Sequence, residues 1–276
     1  MDHIIIENLE VFGNHGVYAE EKKLGQKFLV SARLYLDLRT AGQCDDLEST
    51  VHYGKVSALI YDHMRQHSYQ LIEAAAENIA KDILLKFNMV KKVELKIQKP
   101  WAPIGLPLEA VAVCIERGWH SVYLGMGSNM GDREDYLNSA IAAIDKRDDT
   151  FIGSISEYVE SKPYKGMDQE DYLNGVCHIK TLMTPEELLL FLNETENEMG
   201  RERTTHWGAR TLDLDILLYD DLVMDTEQLT IPHPELHKRD FVLVPICEIA
   251  PRLRHPVFNK TMSDLLLELK DRYVIE

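Results

Sequence analysis

The pattern of hydrophobic and polar positions divides the chain into two series of strands and helices. In the first series, Val30, Ala32, Leu34 and Leu36 alternate with other side chains, which is typical of a strand with one buried face. Two later stretches carry apolar residues at helical spacing, and residues 93–99 alternate again. Strands that flank a pair of helices, without strand–helix–strand alternation, predict an α+β fold with an antiparallel sheet for residues 1–118.

The second series begins with a strand and a glycine-rich turn over residues 125–131. A helix follows, and a later helix starts at Thr184, where Thr-Pro-Glu-Glu combines an N-cap, a proline at the first helical position and a capping-box acid. Further strands are predicted over residues 151–160, 172–181 and 211–219. This βαββαβ-like order predicts a second α+β domain, residues 119–276.

Composition adds limits on function. The 276 residues carry a net charge of −16, of which residues 1–118 contribute −2 and residues 119–276 contribute −14. We expect no nucleic-acid or anionic-membrane partner, because such binders need a basic surface. The sequence shows neither a transmembrane run nor a signal peptide, and its four cysteines are far apart, which favours a reducing cytoplasm.

The clearest candidate chemistry lies in residues 210–219. Asp213 and Asp215 fall on one face of the predicted strand, and the apolar residues Leu212, Leu214 and Ile216 fall on the other. Two carboxylates about 7 Å apart repel each other unless a cation lies between them. Mg²⁺ suits such a pair, because it takes one or two carboxylates and completes its shell with water and phosphate oxygens. The alternative is a solvated polar strand face.

Arg201, Arg203 and Arg210 lie just before this strand, in a half of strongly negative charge. Guanidinium groups bind phosphate oxygens in pairs, so arginines beside an acid pair predict phosphoryl-type transfer. Further along, His233 and Arg239 offer additional phosphate or nucleotide contacts. The alternative partners of the arginines are local acids, namely Glu196, Glu198 and Glu202.

These motifs resemble those of the 6-hydroxymethyl-7,8-dihydropterin pyrophosphokinase family of folate synthesis. The resemblance spans residues 121–276 and rests on four segments, 127–131, 171–174, 207–215 and 231–233. It implies a ferredoxin-like α+β domain that transfers pyrophosphate from ATP to the pterin hydroxymethyl group, leaves AMP, and uses two Mg²⁺ ions.

The same resemblance implies roles for individual residues. Asp213 and Asp215 would hold both Mg²⁺ ions, and Arg203 and Arg210 would act on the phosphates, with Arg201 nearby. The ATP site would be lined by Glu196, Ile216, Thr230, His233 and Arg239. The pterin would be held by Ser161, Tyr172, Asn174, Trp207 and Phe241. The chain departs from the family at His206 and Gln228, where arginines are expected, and at residues 161–164, which differ from the commoner Thr-Pro-Pro-Leu.

In the first half, Lys99 ends the apolar face of the strand over residues 93–99. A partly desolvated lysine has a lowered pKa and can act as a base, whereas the alternative is a lysine that extends to solvent. Glu73 lies at the start of a predicted helix, where an acid is also favoured by the helix dipole alone.

Together with several short motifs, Lys99 and Glu73 make the first half, residues 1–118, resemble the dihydroneopterin aldolase family. The shared motifs are Gly-x-His-Gly at 13–16, Glu-Glu at 20–21, Gly-Gln-x-Phe at 25–28, Thr-Val-His-Tyr-Gly at 50–54, Leu-Ile-Glu at 71–73 and Lys-Pro at 99–100. The resemblance implies that Lys99 is the general base, with Glu21 close by, and that Tyr53 assists proton transfer. Glu73 would bind the pterin amino group and ring NH, beside Val51 and Ile72.

The implied reaction is a retro-aldol cleavage of 7,8-dihydroneopterin to glycolaldehyde and 6-hydroxymethyl-7,8-dihydropterin, without a cofactor. The resemblance also implies a tunnel-type fold that forms rings, as tetramers or octamers. Residues 50–53 would then meet Glu73 and Lys99 of another chain.

The leading hypothesis is a cytoplasmic, homo-oligomeric, bifunctional folate-pathway enzyme that binds pterins and ATP. One alternative keeps the pyrophosphokinase and makes the first half a pterin epimerase or a ring-forming scaffold. A second alternative is a pterin- or nucleotide-binding regulator. The combination of Asp213, Asp215, Arg203 and Arg210 disfavours the regulator, because a sensor needs fewer of them.

Overall fold

The computed structural model describes residues 1–163, 169–200 and 210–275. The chain divides into two compact units, unit 1 over Met1–Trp119 and unit 2 over His120–Glu276. This division lies one residue from the domain boundary that the sequence predicts. In the part of the chain that is described, no helix combines the length and the apolar character needed to cross a bilayer.

Unit 1 is built on a four-stranded antiparallel sheet in the order β1-β2-β3-β4. Its strands are β1 (His3–Gly13), β2 (Gln26–Tyr35), β3 (Lys92–Lys99) and β4 (Val111–Gly118). Side chains alternate across β2, and the predicted inner face is buried, with Val30, Ala32, Leu34 and Leu36 at most 2% exposed. The strand pattern of the sequence is therefore confirmed.

Four helices accompany this sheet, namely α1 (Ala19–Leu24), α2 (Arg39–Cys44), α3 (Tyr53–Gln66) and α4 (Ile72–Lys86). Helix α3 packs on β1, and α4 packs on β3 and β4. Helix α4 buries the positions expected from its spacing, from Ile72 to Ile83. The short helices α1 and α2 are not evident in the sequence pattern, because they contribute no buried residue to the core.

Unit 2 contains a five-stranded antiparallel sheet in the order β6-β8-β5-β9, with β7 paired to β8. Its strands are β5 (His120–Ser128), β6 (Thr150–Ile155), β7 (Val159–Ser161), β8 (Tyr172–Thr181) and β9 (Asp213–Tyr219); a two-stranded hairpin comprises β10 (Met224–Asp225) and β11 (Thr230–Ile231). The strand predicted over residues 151–160 is in fact two strands. It breaks where the backbone and side chain of Ser156 both bond to Val176 of β8.

Both faces of this sheet are covered. Helices α5 (Arg133–Asp145) and α6 (Pro185–Glu198) pack with Val122 and Leu124 on one face. Helices α7 (Asp240–Ile249) and α8 (Met262–Glu268) pack with Val176 and Leu217 on the other. The N-terminus of α6 has the predicted capping box at Thr184 and Glu187.

Candidate active sites

A cavity of about 250 Å³ lies beside the sheet of unit 2, with residues of α7 in its wall. We call one part of its lining the charged end, which comprises Arg210, Asp213, Asp215, His233 and Arg239. We call the other part the aromatic end, which comprises Ser161, Lys162, Tyr172, Asn174 and Phe241. The structure thus brings together ten residues from β7, β8, β9, α7 and adjoining loops, nine of them expected from the sequence.

The two aspartates project from the same side of β9. Leu214 between them is 5% exposed and belongs to the hydrophobic core, whereas both carboxylates face the cavity. In the register of the sheet, Asp213 stands opposite Gly127 and Asp215 opposite Gly125. A Cβ on Gly125 would approach the Leu217 side chain at 3.2 Å, and one on Gly127 would approach Oδ1 of Asn174 at 3.2 Å, so glycine lets these neighbours pack closely.

The carboxylate pair is electrostatically suited to a cation. Burial and the negative charge of Asp213 raise the pKa of Asp215, so the fully ionised pair is disfavoured without a positive partner. Among the described residues, no group of three or more His, Cys, Asp or Glu side chains is placed to hold a metal ion. Mg²⁺ fits a site with two carboxylates, because it can complete its shell with water and phosphate oxygens.

Arg210 is held beside Asp213 by the backbone as well as by charge. Its Nη1 lies 2.5 Å from Oδ1 of Asp213. Its backbone N–H donates to Oδ1 of Asn129 (2.8 Å), and the N–H of Asn129 donates to the carbonyl of Arg210 (3.1 Å). Burial alone would lower the pKa of Arg210, but the two aspartates raise it. The guanidinium is therefore a fixed positive charge at the cavity.

His233 lies next to the aspartates in a defined tautomer. Its Nδ1 accepts a hydrogen bond from the N–H of Glu235 (3.1 Å), so the neutral ring carries its proton on Nε2, which lies 3.8 Å from Oδ2 of Asp215. Burial and the positive charge of Arg239 lower the pKa of His233 to about 4. The ring is therefore a neutral donor near neutral pH.

The aromatic end contains an oriented amide, that of Asn174, together with the rings of Tyr172 and Phe241. Nδ2 of Asn174 donates to Oγ of Ser161 (2.9 Å), which fixes the orientation of the amide. A side chain on Gly127 would press on the amide oxygen of Asn174 at 3.2 Å. Tyr172 donates to Oε1 of Gln169 (2.9 Å). An oriented amide can hydrogen-bond the edge of a flat heterocycle, and aromatic side chains in the same cavity can pack on its face.

Three residues expected in the ATP site do not line this cavity. Glu196 is 2% exposed and bonds to the backbone of β9, and the side chain of Ile216 is buried in the core. The hydroxyl of Thr230 donates to Oδ1 of Asp225 (2.7 Å). Arg201, Arg203 and Trp207 lie outside the described residues, as does His206.

In unit 1, Lys99 and Glu21 form an ion pair. Nζ of Lys99 lies 2.5 Å from Oε1 of Glu21, and the two side chains are only 12% and 9% exposed. Burial alone would raise the pKa of Glu21, but hydrogen bonds from Lys99 and from the N–H of Tyr18 lower it. Lys99 is thus not the solvent-directed lysine of the alternative interpretation.

The loop that contains His15 and Gly16 supports this ion pair. Gly16 has φ of 151°, and a Cβ at this position would collide with the carboxylate of Glu21. The N–H of Gly16 donates to the carbonyl of Tyr69 (2.9 Å), and the N–H of Tyr69 donates to Nδ1 of His15 (3.2 Å). Glycine is therefore required for the close approach of this loop to Glu21.

The other predicted residues of unit 1 lie at helix N-termini. Tyr53 begins α3 and is 63% exposed, and Glu73 is exposed in the first turn of α4. Val51 and Ile72 are buried, at 4% and 8% exposed. These four residues and the ion pair are the components of the predicted aldolase site.

A buried polar chain behind the His15 loop is not evident from sequence. Nδ1 of His63 bonds to Asp82 (3.1 Å), and its Nε2 bonds to the hydroxyl of Tyr69 (2.8 Å). His63 is 8% exposed, so both ring nitrogens are satisfied inside the unit. Helical spacing predicts His63 on the buried face of α3, but it gives no sign of partners 6 and 19 residues away.

Two family models match the chain, one within each unit. Residues 123–251 match the family model of 7,8-dihydro-6-hydroxymethylpterin-pyrophosphokinase, and residues 4–116 match that of dihydroneopterin aldolase. A 2-amino-4-hydroxy-6-hydroxymethyldihydropteridine pyrophosphokinase of Haemophilus influenzae is 40% identical over 156 residues, which cover 56% of this chain and 97% of that protein. The chain belongs to both families. Unit 2 is the pyrophosphokinase unit, and unit 1 is the aldolase unit.

A relative that aligns with both units is the folic acid synthesis protein FOL1 of Dictyostelium discoideum. It is 31% identical over 296 residues, which cover 98% of this chain but 45% of that protein. The chain thus spans about half the length of this relative. The aldolase unit is similar to an E. coli dihydroneopterin aldolase crystallised with neopterin, at 32% identity and a TM-score of 0.40, over 43% of this chain and 100% of that chain.

Proposed function

We propose that the chain catalyses two consecutive steps of folate synthesis. Residues 1–118 would cleave 7,8-dihydroneopterin to glycolaldehyde and 6-hydroxymethyl-7,8-dihydropterin. Residues 119–276 would transfer pyrophosphate from ATP to the hydroxymethyl group and leave AMP. The two family matches support this pairing, because the product of the first reaction is the acceptor of the second.

The observation that carries the second activity is the aspartate pair with Arg210 beside it. We infer that Asp213 and Asp215 hold two Mg²⁺ ions, whose chemistry is to neutralise charge on the ATP phosphates. Arg210 supplies a fixed positive charge next to the pair, and Arg203 and Arg201 add phosphate contacts. His233 and Arg239 bind the nucleotide.

The burial and hydrogen bonds of the other residues expected at the ATP site limit the roles that they can have. Ile216 and Thr230 remain candidates for ATP contacts, but Ile216 can offer only its backbone, because its side chain is 3% exposed. Glu196 acts by positioning β9, since its carboxylate is bonded to that strand. At the aromatic end, we propose that Ser161, Tyr172, Asn174, Trp207 and Phe241 hold the pterin.

In the aldolase site, we propose that Lys99 is the general base. It acts as the neutral amine, after the ammonium group of the ion pair has released a proton to solvent, and Glu21 holds the amine in place. The base removes the proton of the hydroxyl on the carbon that leaves as the aldehyde. The carbon–carbon bond then breaks, and its electron pair moves into the pterin C=N. The new enamine carbon takes a proton, with the help of Tyr53. Glu73, Val51 and Ile72 bind the pterin ring.

Tyr53 and Glu73 lie at exposed helix ends, and unit 1 also exposes several large apolar side chains. Tyr18, Leu71 and Trp101 are 59%, 52% and 58% exposed. Exposed apolar side chains of this size favour an interface. We propose that copies of unit 1 form a ring of the tunnel type, as tetramers or octamers, with each aldolase site shared between neighbours.

We also propose a ferredoxin-like fold for unit 2, supported by its βαββαβ core and the strand order β6-β8-β5-β9. A cytoplasmic location is supported by the four cysteines, all of which are free thiols.

A paired assay tests this proposal. Purified protein is incubated with dihydroneopterin, ATP and Mg²⁺, and both glycolaldehyde and AMP are measured. Both products are expected. AMP formed only when hydroxymethyl-dihydropterin is added would favour an epimerase or a scaffold in unit 1, and absence of both products would favour a regulator.

A further inference from the structure

The segment over residues 273–275 forms the outer support of one cavity wall. Val274 pairs with Ser161 of β7 in an antiparallel bridge. The N–H of Lys162 donates to the carbonyl of Tyr273 (2.8 Å), and the N–H of Ile275 donates to the carbonyl of Glu160 (2.9 Å). Ser161 and Lys162 both line the cavity, so this segment sets the position of the wall that they form.

A buried carboxylate adds to these backbone bonds in holding the segment in place. Asp240 is 0% exposed, and its Oδ2 accepts hydrogen bonds from the N–H groups of Tyr273 (2.7 Å) and Val274 (3.0 Å). Its Oδ1 accepts from the N–H of Phe241 (2.9 Å). A buried charge is tolerated only when it is hydrogen-bonded, and bonds to a charged acceptor are stronger than neutral ones. The first turn of α7 also favours a negative charge.

The Asp240 carboxylate is bonded both to Phe241, a residue of the aromatic end, and to the 273–275 segment, which contacts that end. On one side, Phe241 lines the cavity, and its ring meets that of Tyr273 edge to face at 6.2 Å and 80°. On the other side, Ser161 receives the hydrogen bond that orients the amide of Asn174. Displacement of the 273–275 segment would therefore move Ser161 and release the Asn174 amide.

We propose that Asp240, through its bonds to Tyr273 and Val274, is a positioning residue that fixes the width of the aromatic end and so determines affinity for the flat pterin ring. The proposal rests on the proposed pyrophosphokinase activity. It assigns no contact with ATP to Asp240, since the nucleotide residues lie at the charged end.

The test measures separate KM values for hydroxymethyl-dihydropterin and for ATP in the AMP assay. Asp240→Ala removes all three acceptor contacts. Val274→Pro removes one donor to Asp240 and leaves the bonds to Glu160 and Lys162, because proline lacks only the N–H of its own residue. We expect both variants to raise the pterin KM by about tenfold or more, as small displacements in a site have large effects. The ATP KM should stay close to that of the unchanged protein.

Two further variants separate positioning from general damage. Asp240→Asn retains an oxygen acceptor and should have an intermediate pterin KM. Asp149→Asn changes another buried acid of unit 2, which bonds to Arg147, and should lower thermal stability without changing the pterin KM.

If the unchanged protein is active, and Asp240→Ala and Val274→Pro both keep its pterin KM, the inference is overturned. If Asp240→Ala does not fold, Val274→Pro decides the question, because it removes one of the donors to Asp240 and leaves the carboxylate in place. Absence of AMP with the unchanged protein would instead contradict the proposed function.

Discussion

The backbone N–H of Leu214 donates a hydrogen bond of 2.8 Å to Oε1 of Glu196. Leu214 stands between Asp213 and Asp215 on β9, the last strand in the order of its sheet. Glu196 belongs to the final turn of α6 and is 2% exposed. The bond therefore ties α6 to the strand that carries both carboxylates, and it satisfies an N–H of that strand's outer edge.

Removal of this carboxylate is expected to destabilise unit 2. Glu196→Ala leaves the N–H of Leu214 without its acceptor, at a cost of about 1–3 kcal/mol in the free energy of unfolding. AMP formation should fall with it, because β9 loses its support. Glu196→Gln keeps an oxygen acceptor and should retain most of the stability in thermal unfolding. Equal losses of stability in Glu196→Ala and Glu196→Gln would show that the charge of Glu196, and not its hydrogen bond, stabilises unit 2.

The aspartate pair gives a second prediction. Asp213→Ala or Asp215→Ala should reduce AMP formation by about 100-fold or more, as expected when a group that stabilises transition-state charge is lost. Glycolaldehyde release should be unaffected, because it belongs to unit 1. Asp221→Ala removes an exposed acid a few residues away and serves as the control. Loss of both activities in one variant would contradict two separate sites.

Much of this site follows from local periodicity. A period of two places Asp213 and Asp215 on one face of β9, and it places Lys99 at the end of a buried stripe in β3. The capping sequence at Thr184 likewise predicts where α6 begins. In each case, neighbours in sequence determine the result, so the pattern along the chain is sufficient.

Contacts between distant segments cannot be obtained in this way. Glu196 accepts a hydrogen bond from a backbone N–H 18 residues away. Almost every residue has a backbone N–H, so the residue types do not indicate which one is the donor. Helix α7 is nearly apolar throughout and contains Pro245, so it lacks the polar face and the uninterrupted run that indicate a helix. It forms nonetheless, because the core around Val176 and Leu217 surrounds much of its surface.

The ion pair in unit 1 gives a third prediction. Lys99→Met keeps much of the side-chain volume but removes the amine, and it should reduce glycolaldehyde release by about 100- to 10,000-fold, the usual contribution of a general base. AMP formation from added hydroxymethyl-dihydropterin should remain. Lys96→Met, at an exposed position of the same strand, is the control and should retain both activities.

The same variant has a consequence for pH dependence. Because the pKa of Glu21 is lowered in the folded protein, its ionised form contributes stability above the unfolded pKa of about 4.3, and this contribution is lost as pH falls through the folded value. In Lys99→Met, burial of Glu21 acts without the amine, so its pKa should rise. Carboxyl titration followed by NMR would show this shift, and an unchanged pKa would contradict the role of the pair.

The buried chain around His63 predicts an acid-sensitive unit 1. Burial lowers the pKa of His63, and its bond to Asp82 offsets this only in part; burial lowers the pKa of His15 as well. The unfolded chain therefore binds protons more tightly than the folded unit. Stability is complete above the unfolded pKa of about 6.5 and decreases as pH falls from there towards the folded values.

Hydrogen exchange of peptides from α3 and α4, corrected for intrinsic rates, measures this effect at about pH 7.5 and about pH 5.5. Protection should be lower at the acid pH in the unchanged protein. His63→Gln should lose protection at both pH values and show a smaller difference between them, since only His15 then remains. His3→Gln, at an exposed position of β1, should behave as the unchanged protein. An undiminished pH difference in His63→Gln would assign the acid sensitivity to other groups.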